Sequence, residues 1–292
     1  MVREIDTEHL GNERVTCCWQ VGDVLVDPGP ESTLATLMDE IEDRAPRALL
    51  LTHIHLDHAG GTGALVRAFP DLHVYVHELG APHLIDPSKL LGSAARLYGE
   101  ENMDRMWGEI VPVPERNIRL LRGGETVEGC RVAYAPGHAS HHVVYLHEDS
   151  GWVFAGDTAG VRIHREQPVV PPTPPPDIDV EAWLESIDAI EAWDPAALAL
   201  THFGAYDDVA SHLDALREAL RKQAEWARDL DEEEFLARRR EWVSNLDTYE
   251  HAAPSEQMWL GLERYWRKRA ERNRTTHTAA DERAGTASGG KG

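Results

Sequence analysis

The 292-residue chain predicts an α/β fold of four layers, two mixed β-sheets packed face to face with helices outside both. Three observations lead there. Apolar stretches of strand and helix length follow one another as strands, helix, strand, helix, then a strand-rich half, then helix and strand again, and two mixed sheets with outer helices satisfy that order. Several strand-like stretches end in His or Asp, and α/β sheets gather ligand-binding groups at the carboxyl ends of their strands. The length is also ample for one large core.

Taken in order, residues 15–27 alternate loosely and carry Val, Trp and Leu, predicting two strands joined at Gly22-Asp23. Asp27-Pro28-Gly29-Pro30 stops them. Glu31-Ser32 opens a helix through Leu34, Leu37, Met38 and Ile41 at helical spacing. Residues 48–51 form a buried strand, a His-rich loop follows, and Gly60-Gly61 turns the chain into a helix over 63–69. A strand at 72–76 precedes a mostly helical, irregular stretch over 78–107. Four short strands are expected at 118–121, 131–135, 143–146 and 152–155, then a helix at 180–193 and a buried strand at 196–200. Between them, the proline run in residues 167–176 must be extended, and reads as a stiff wall of the active site or a crossing segment.

Beyond Tyr206 the pattern predicts helices over 209–229, 232–245 and 254–272, carrying Trp226, Trp242, Trp259 and Trp266. Short amphipathic helices bury too little surface alone, so they should dock as a cap beside the cleft. The expected organisation is a sandwich over residues 1–205, a helical cap over 206–272 and a disordered tail over 273–292, where Thr, Ala, Gly and Ser offer little core.

Lys and Arg total 29 against 51 Asp and Glu, a formal charge of −22. That balance argues against nucleic acid as a substrate and against adhesion to anionic membranes. Cys17, Cys18 and Cys130 have neither a disulfide framework nor zinc-ribbon spacing. Residues 1–6 lack the apolar centre of a signal peptide, and no run approaches a membrane span. The expected setting is soluble and cytoplasmic, the expected partner a small-molecule substrate, with a homodimer left open.

The chemistry concentrates in Thr52-His53-Ile54-His55-Leu56-Asp57-His58-Ala59-Gly60-Gly61, directly after the apolar run Ala48-Leu49-Leu50-Leu51. Imidazoles and a carboxylate crowded on one loop compete for solvation, and a divalent metal resolves this, because both are zinc ligands at about 2.0–2.2 Å. His138, Asp157 and His202 each follow another apolar strand. Together these strand ends imply one converging site.

On these residues the chain resembles the metallo-β-lactamase superfamily, whose signature is the His53-x-His55-x-Asp57-His58 pattern. The resemblance covers roughly residues 16–204 and implies an αββα sandwich with a binuclear, usually zinc, hydrolytic centre; iron and manganese are the other candidate metals. It implies His53, His55 and His138 around the first metal, Asp57, His58 and His202 around the second, and Asp157 bridging. One departure lies at Gly137-His138-Ala139-Ser140-His141-His142, where the glyoxalase II branch reads Gly-His-Thr-x-Gly-His. His142 matches the branch's second histidine; Ala139 and His141 replace a threonine and a glycine.

Two cations about 3.5–4 Å apart can share a bridging water and supply hydroxide near pH 7. Asp57 would orient that hydroxide and pass its proton on, making Asp57 the expected catalytic residue. The seven-ligand set resembles lactonases, thioesterases, arylsulfatases and phosphodiesterases more than exported β-lactam hydrolases, which generally lack the bridging carboxylate. The expected reaction is hydrolysis of a small ester, lactone or thioester. Alternatives are a phosphodiesterase or β-lactam hydrolase on this fold, a mononuclear iron sulfur dioxygenase, or a non-catalytic scaffold. Arg162, His164 and Tyr206 are the candidates for orienting substrate or protonating a leaving group. The tyrosine that acyl-homoserine lactonases place between bridging Asp and last His is absent from residues 158–201.

Overall fold

The computed structural model describes residues 1–42, 44–243 and 246–288. Its first sheet runs β1 (Val2–Asp6), β2 (Cys17–Val21), β3 (Val24–Val26), β4 (Ala48–Leu50), β5 (His73–His77) and β6 (Ile118–Leu121), in that spatial order. The hairpin pairs at β1, β2 and β3 are antiparallel, and those from β3 to β6 are parallel. The second sheet is ordered β12 (Gly204–Tyr206), β11 (Ala197–Leu200), β10 (Trp152–Phe154), β9 (Val143–His147), β8 (Cys130–Tyr134) and β7 (Thr126–Val127). Only β10 and β11 pair in parallel there. Both sheets are mixed, as expected.

The helices are α1 (Leu34–Glu40), α2 (Leu56–Ala59), α3 (Thr62–Ala68), α4 (Ala81–Ile85), α5 (Ser88–Tyr98), α6 (Glu100–Trp107) and α7 (Val180–Glu191), followed by α8 (Val209–Asp229), α9 (Glu232–Trp242), α10 (Leu246–Ala252) and α11 (Ser255–Ser288). Alternation sorts each strand's side chains between two packed faces. Trp19, Val24, Val26 and Leu50 meet Tyr145, Phe154 and Leu200 in one cluster. Cys18, Leu25, Leu49 and Val74 meet Leu37, Leu65 and Val66 of α1 and α3 in the other. Leu213, Leu216, Phe235, Tyr249, Met258 and Leu262 from the C-terminal helices belong to the first cluster, so these helices share the core of the sandwich.

Several elements differ from the sequence expectation. β1 is a strand although only Ile5 of its five residues is buried; as an edge strand it needs one partner, and β2 supplies it. β12 begins with Gly204 and Ala205, too small to signal a strand, and is recruited by β11. The two-residue β7 and α10 were likewise not legible in the sequence. Asp57 and His58 lie on a helical turn, α2, rather than on an open loop. Finally, α11 carries helix through Ser288, across much of the stretch expected to be a disordered tail. Extending a helix whose first turns are packed costs little per residue; residues 289–292 lie outside the described residues.

Candidate metal centre

β4 delivers His53 and His55 just past its carboxyl end; His55, with extended backbone (φ −60, ψ 151), is the N-cap of α2, which carries Asp57 and His58. From the second sheet, the chain leaving β8 delivers His138, the 3-10 turn after β10 delivers Asp157, and the exit of β11 delivers His202. Ligand-type side chains from both sheets therefore meet at one end of the sandwich.

They fall into two groups. His53, His55, His138 and Asp157 form the first, and Asp57, His58 and His202 the second, with the ligand atoms of each group within 4.8 Å of one another. His55 Nδ1 lies 3.0 Å from both His53 Nε2 and His138 Nε2. Tetrahedral zinc–nitrogen bonds would hold such nitrogens about 3.3 Å apart, close to this spacing. Asp157 faces both groups: one carboxylate oxygen is 3.2 Å from His138 Nε2, the other 3.2 Å from His58 Nε2 and 3.6 Å from His202 Nε2. Asp57 Oδ2 is 3.3 Å from His202 Nε2.

Two observations test whether a metal fits. His58 Nε2, His202 Nε2 and Asp157 Oδ1 are buried and satisfied by no hydrogen bond, despite the short separations. Each is aimed at a shared point rather than at its neighbour, and leaving such atoms bare costs about 1–3 kcal/mol each. The second is charge. Burial, then the neighbouring imidazoles, keeps His53 well below the ordinary histidine range and His55 at about 4, so both are neutral ligands. Burial also opposes charge on His58 and His202, yet Asp157 and Asp57 outweigh it and raise both. Burial alone would raise the Asp57 carboxyl, but His58 and His202 hold it below the carboxylate range. The site thus calls for positive charge, which a divalent cation supplies.

The distal ring nitrogens of His53, His58, His138 and His202 are engaged, which fixes those four imidazole planes. His53 Nδ1 meets Thr52 Oγ1 at 3.1 Å, His138 Nδ1 meets the Pro172 carbonyl at 2.8 Å, and His202 Nδ1 meets the Val15 carbonyl. His58 Nδ1 meets Asp27 Oδ2 at 2.9 Å. Asp27 is fully buried and also accepts from Thr52 N, Thr52 Oγ1 and Thr201 Oγ1. In the sequence Asp27 reads only as a turn residue, although it ends the apolar β3 just as the expected ligands end their strands. His142, which matches the second histidine of the glyoxalase II pattern, supports Asp157 from behind: its Nε2 accepts from Asp157 N at 3.2 Å and its Nδ1 lies 3.1 Å from Thr158 Oγ1. Gly156 beside it has φ +47, and a Cβ there would stand 2.4 Å from Thr52 Oγ1.

A cavity of about 400 Å³ opens over His55, Asp57 and Asp157. The proline run forms one wall through Pro172, Pro174, Pro175 and Pro176, and residues 251–258 at the α10–α11 junction form another. A further wall comes from α5 and α6, including Tyr98 and Trp107, whose rings pack edge to face at 4.9 Å. Sequence reasoning assigned that stretch no role.

Arg162, His164 and Tyr206 do not line this cavity, which corrects the expectation that they handle substrate. Arg162 is buried, pairs with Asp208 at 3.0 Å and lies over the Tyr206 ring, while Tyr206 donates to the Arg162 carbonyl at 2.6 Å. These groups pin β12 and α8 to the sandwich. His164 is exposed. Closeness in sequence to Asp157 and His202 misled here, because the chain turns away from the site after each ligand.

The family model of the metallo-beta-lactamase superfamily matches residues 22–202. The chain belongs to the metallo-beta-lactamase superfamily, a class of hydrolases. It is similar to the metallo-beta-lactamase fold-containing protein ST1585 of Sulfurisphaera tokodaii, at 29% identity over 200 residues, 64% of this chain and 70% of that one. It is also similar to a hydroxyacylglutathione hydrolase of Legionella pneumophila, at 27% identity over 140 residues, though the match spans only 46% of this chain and 41% of that enzyme. Among solved structures, archaeal ST1585 superposes with a TM-score of 0.66 at 21% identity, over 91% of this chain and 98% of that one. TTHA1623, solved in a di-iron-bound form, gives 0.53 at 27% identity, over 69% and 93%.

Proposed function

We propose that this protein is a binuclear metal-dependent hydrolase of small esters, lactones or thioesters. The observation that carries the reading is Asp157, whose two carboxylate oxygens face different ligand groups 3.2 Å from His138 and from His58. Two divalent cations bound there would polarise a substrate carbonyl and make a water acidic enough to serve as nucleophile near neutral pH. His53, His55 and His138 would hold one ion, Asp57, His58 and His202 the other, with Asp157 shared. Asp57 is the proton carrier: its side chain is 24% exposed and lines the cavity floor, so its carboxylate can take a proton from the attacking water and release it to solvent. The proline and helix walls exclude bulk water and limit substrate size.

Zinc is the metal the imidazole-rich set favours, and the di-iron-bound relative makes iron the second reading. The test is metal analysis by mass spectrometry beside a hydrolysis panel of lactones, thioesters, aryl esters, phosphodiesters and a β-lactam, run with zinc, manganese and iron. We expect about two metal equivalents, falling to one or fewer in Asp157→Ala with at least a hundredfold loss of turnover. Two equivalents and full turnover in that variant would remove the shared-carboxylate reading; oxygen uptake with a single iron would point to the dioxygenase instead.

A further inference from the structure

The cavity is apolar through its middle and cationic along one wall, and α5 builds that wall. Lys89, Leu90, Ser93, Ala94, Arg96 and Leu97 all line it; spacings of three, four and seven residues bring such positions to one helix face. Lys89 and Arg96 form no ion pair or hydrogen bond with any described residue. Arg221, Arg238 and Arg240 on the C-terminal helices likewise form none, but among the described Lys and Arg residues only Lys89 and Arg96 line the cavity. Arg47 pairs with Asp23, Arg122 with Glu78, Arg165 with Asp207 and Arg217 with Asp188.

The local sequence keeps the wall cationic. Residues 79–99 contain one acidic side chain, Asp86; its carboxylate accepts from Ser88 through the backbone N–H at 3.1 Å and the hydroxyl at 2.6 Å, and Lys89 and His83 are within its electrostatic reach without forming an ion pair. Arg96 Nη1 lies 3.9 Å from the point a Cβ on Gly92 would occupy, so the guanidinium folds back along the helix toward Lys89. Lys89 and Gly92 are about 4.5 Å apart along the axis, and the two cations converge on one patch. His83 of α4 and His251 of α10 line the same cavity. Its acidic lining is confined to Asp57 and Asp157 at the floor and to Asp177, whose carboxylate accepts from Ser140 Oγ at 2.6 Å. Like charges held together repel, and a bound anion relieves that repulsion.

Resting on the hydrolase reading, we propose that the substrate is an anionic ester or thioester. Its carbonyl sits over Asp57 and Asp157, its apolar part lies against Leu90, Leu97, Trp107 and Met258, and Lys89 and Arg96 hold a carboxylate or phosphate at its far end. The cationic patch also offsets the repulsion an anion meets on approaching a surface of net charge −22.

The test uses hexanoyl thioesters that share one acyl chain and differ in the thiol: 2-mercaptoethanol (neutral), 3-mercaptopropionate (carboxylate), 2-mercaptoethyl phosphate and thiocholine (cationic). The expected result is at least a tenfold preference in kcat/KM for the carboxylate or phosphate ester over the neutral one, with the cationic ester poorest. Which of the two anions leads identifies the group. In Lys89→Gln/Arg96→Gln the preference should fall toward one, mainly through KM; as a ratio within each protein, it is insensitive to a general loss of activity. A wild-type enzyme blind to charge, or a preference that survives the double variant, overturns the proposal. If no thioester is cleaved, the thioester branch of the hydrolase reading fails by itself, and calorimetry with uncleavable hexyl thioethers of the same thiols still decides the anion site. There the anionic thioethers should bind wild type at least tenfold more tightly than the double variant, and equal or absent binding overturns it.

Discussion

Asp27 organises the site without touching the cavity. It accepts from Thr52, Thr201 and His58, drawing together the exits of β4 and β11 and the helix α2. Replacing it with Ala removes the partner of four buried donors, each at about 1–3 kcal/mol, so we expect Asp27→Ala to lose about 4–5 kcal/mol in urea unfolding. His58 would also lose its orientation, and metal titration should show affinity at its site falling about 10- to 100-fold. His212 is a second residue with a measurable signature. Burial, helped by Arg162, lowers it from 6.5 to about 4, while its Nε2 contacts the Ala159 carbonyl at 2.8 Å. Between those values the unfolded chain takes up a proton that the folded chain refuses. Stability from neutral His212 is therefore fully present above pH 6.5 and lost as pH falls toward 4, in total about 3 kcal/mol. His212→Gln should flatten that part of the unfolding free energy between pH 6.5 and pH 4; an unchanged slope would show that other groups set it.

The turn after β10 matters most among the elements, because it presents Asp157 to both groups. Its entry is Gly156 at φ +47, with room for no side chain: a Cβ would stand 2.4 Å from Thr52 Oγ1 and 2.8 Å from His142 Nε2. Gly156→Ala therefore combines backbone strain with a clash on the two residues that orient His53 and Asp157. We expect a destabilisation of about 2–4 kcal/mol and a fall below two bound metal equivalents. Calorimetric melting and metal analysis on the same preparation check both. The strand ends that carry ligands were legible because β4, β8, β10 and β11 are short apolar runs with a polar group at the exit. β1 and β12 were not, since an edge strand can be polar or glycine-rich and still pair on one side.

At the scale of the whole molecule the C-terminal helices are part of the core. Arg239 is buried among Gln223, Ser255 and Ala253, and Trp266 Nε1 donates to the Ala224 carbonyl at 2.7 Å, tying α8, α9 and α11 together. Tyr265 OH reaches Glu181 of α7 at 2.7 Å, and Met258 is held against Thr173 of the proline wall. Ending the chain after Gly204 would expose Val161, Val170 and the face of α7 that meets α8. That product should be insoluble or lack a cooperative melting transition. Removal of residues 273–292 should instead leave Tm within about 2 °C and the substrate profile unchanged. A soluble, cooperatively folding product of the first truncation would show that the sandwich stands alone.

The sequence by itself determined the layered fold, most of its strands, and the seven side chains that converge, because each of these is written locally. Apolar runs set strands, and a polar residue directly after such a run lands at a strand's carboxyl end whatever the rest of the chain does. Only the tertiary structure decided which side chains stand behind the ligands and which face the cavity. Asp27 reaches His58 across 31 positions and Thr201 across 174. Arg162 and Tyr206, five and four positions after ligands in the chain, lie outside the cavity lining and lock β12 in place. The cavity walls come from α5, the proline run and the α10–α11 junction, segments far apart in sequence. Such groupings depend on how sheets stack and helices dock, and those long-range packing geometries leave no periodic trace in a single chain.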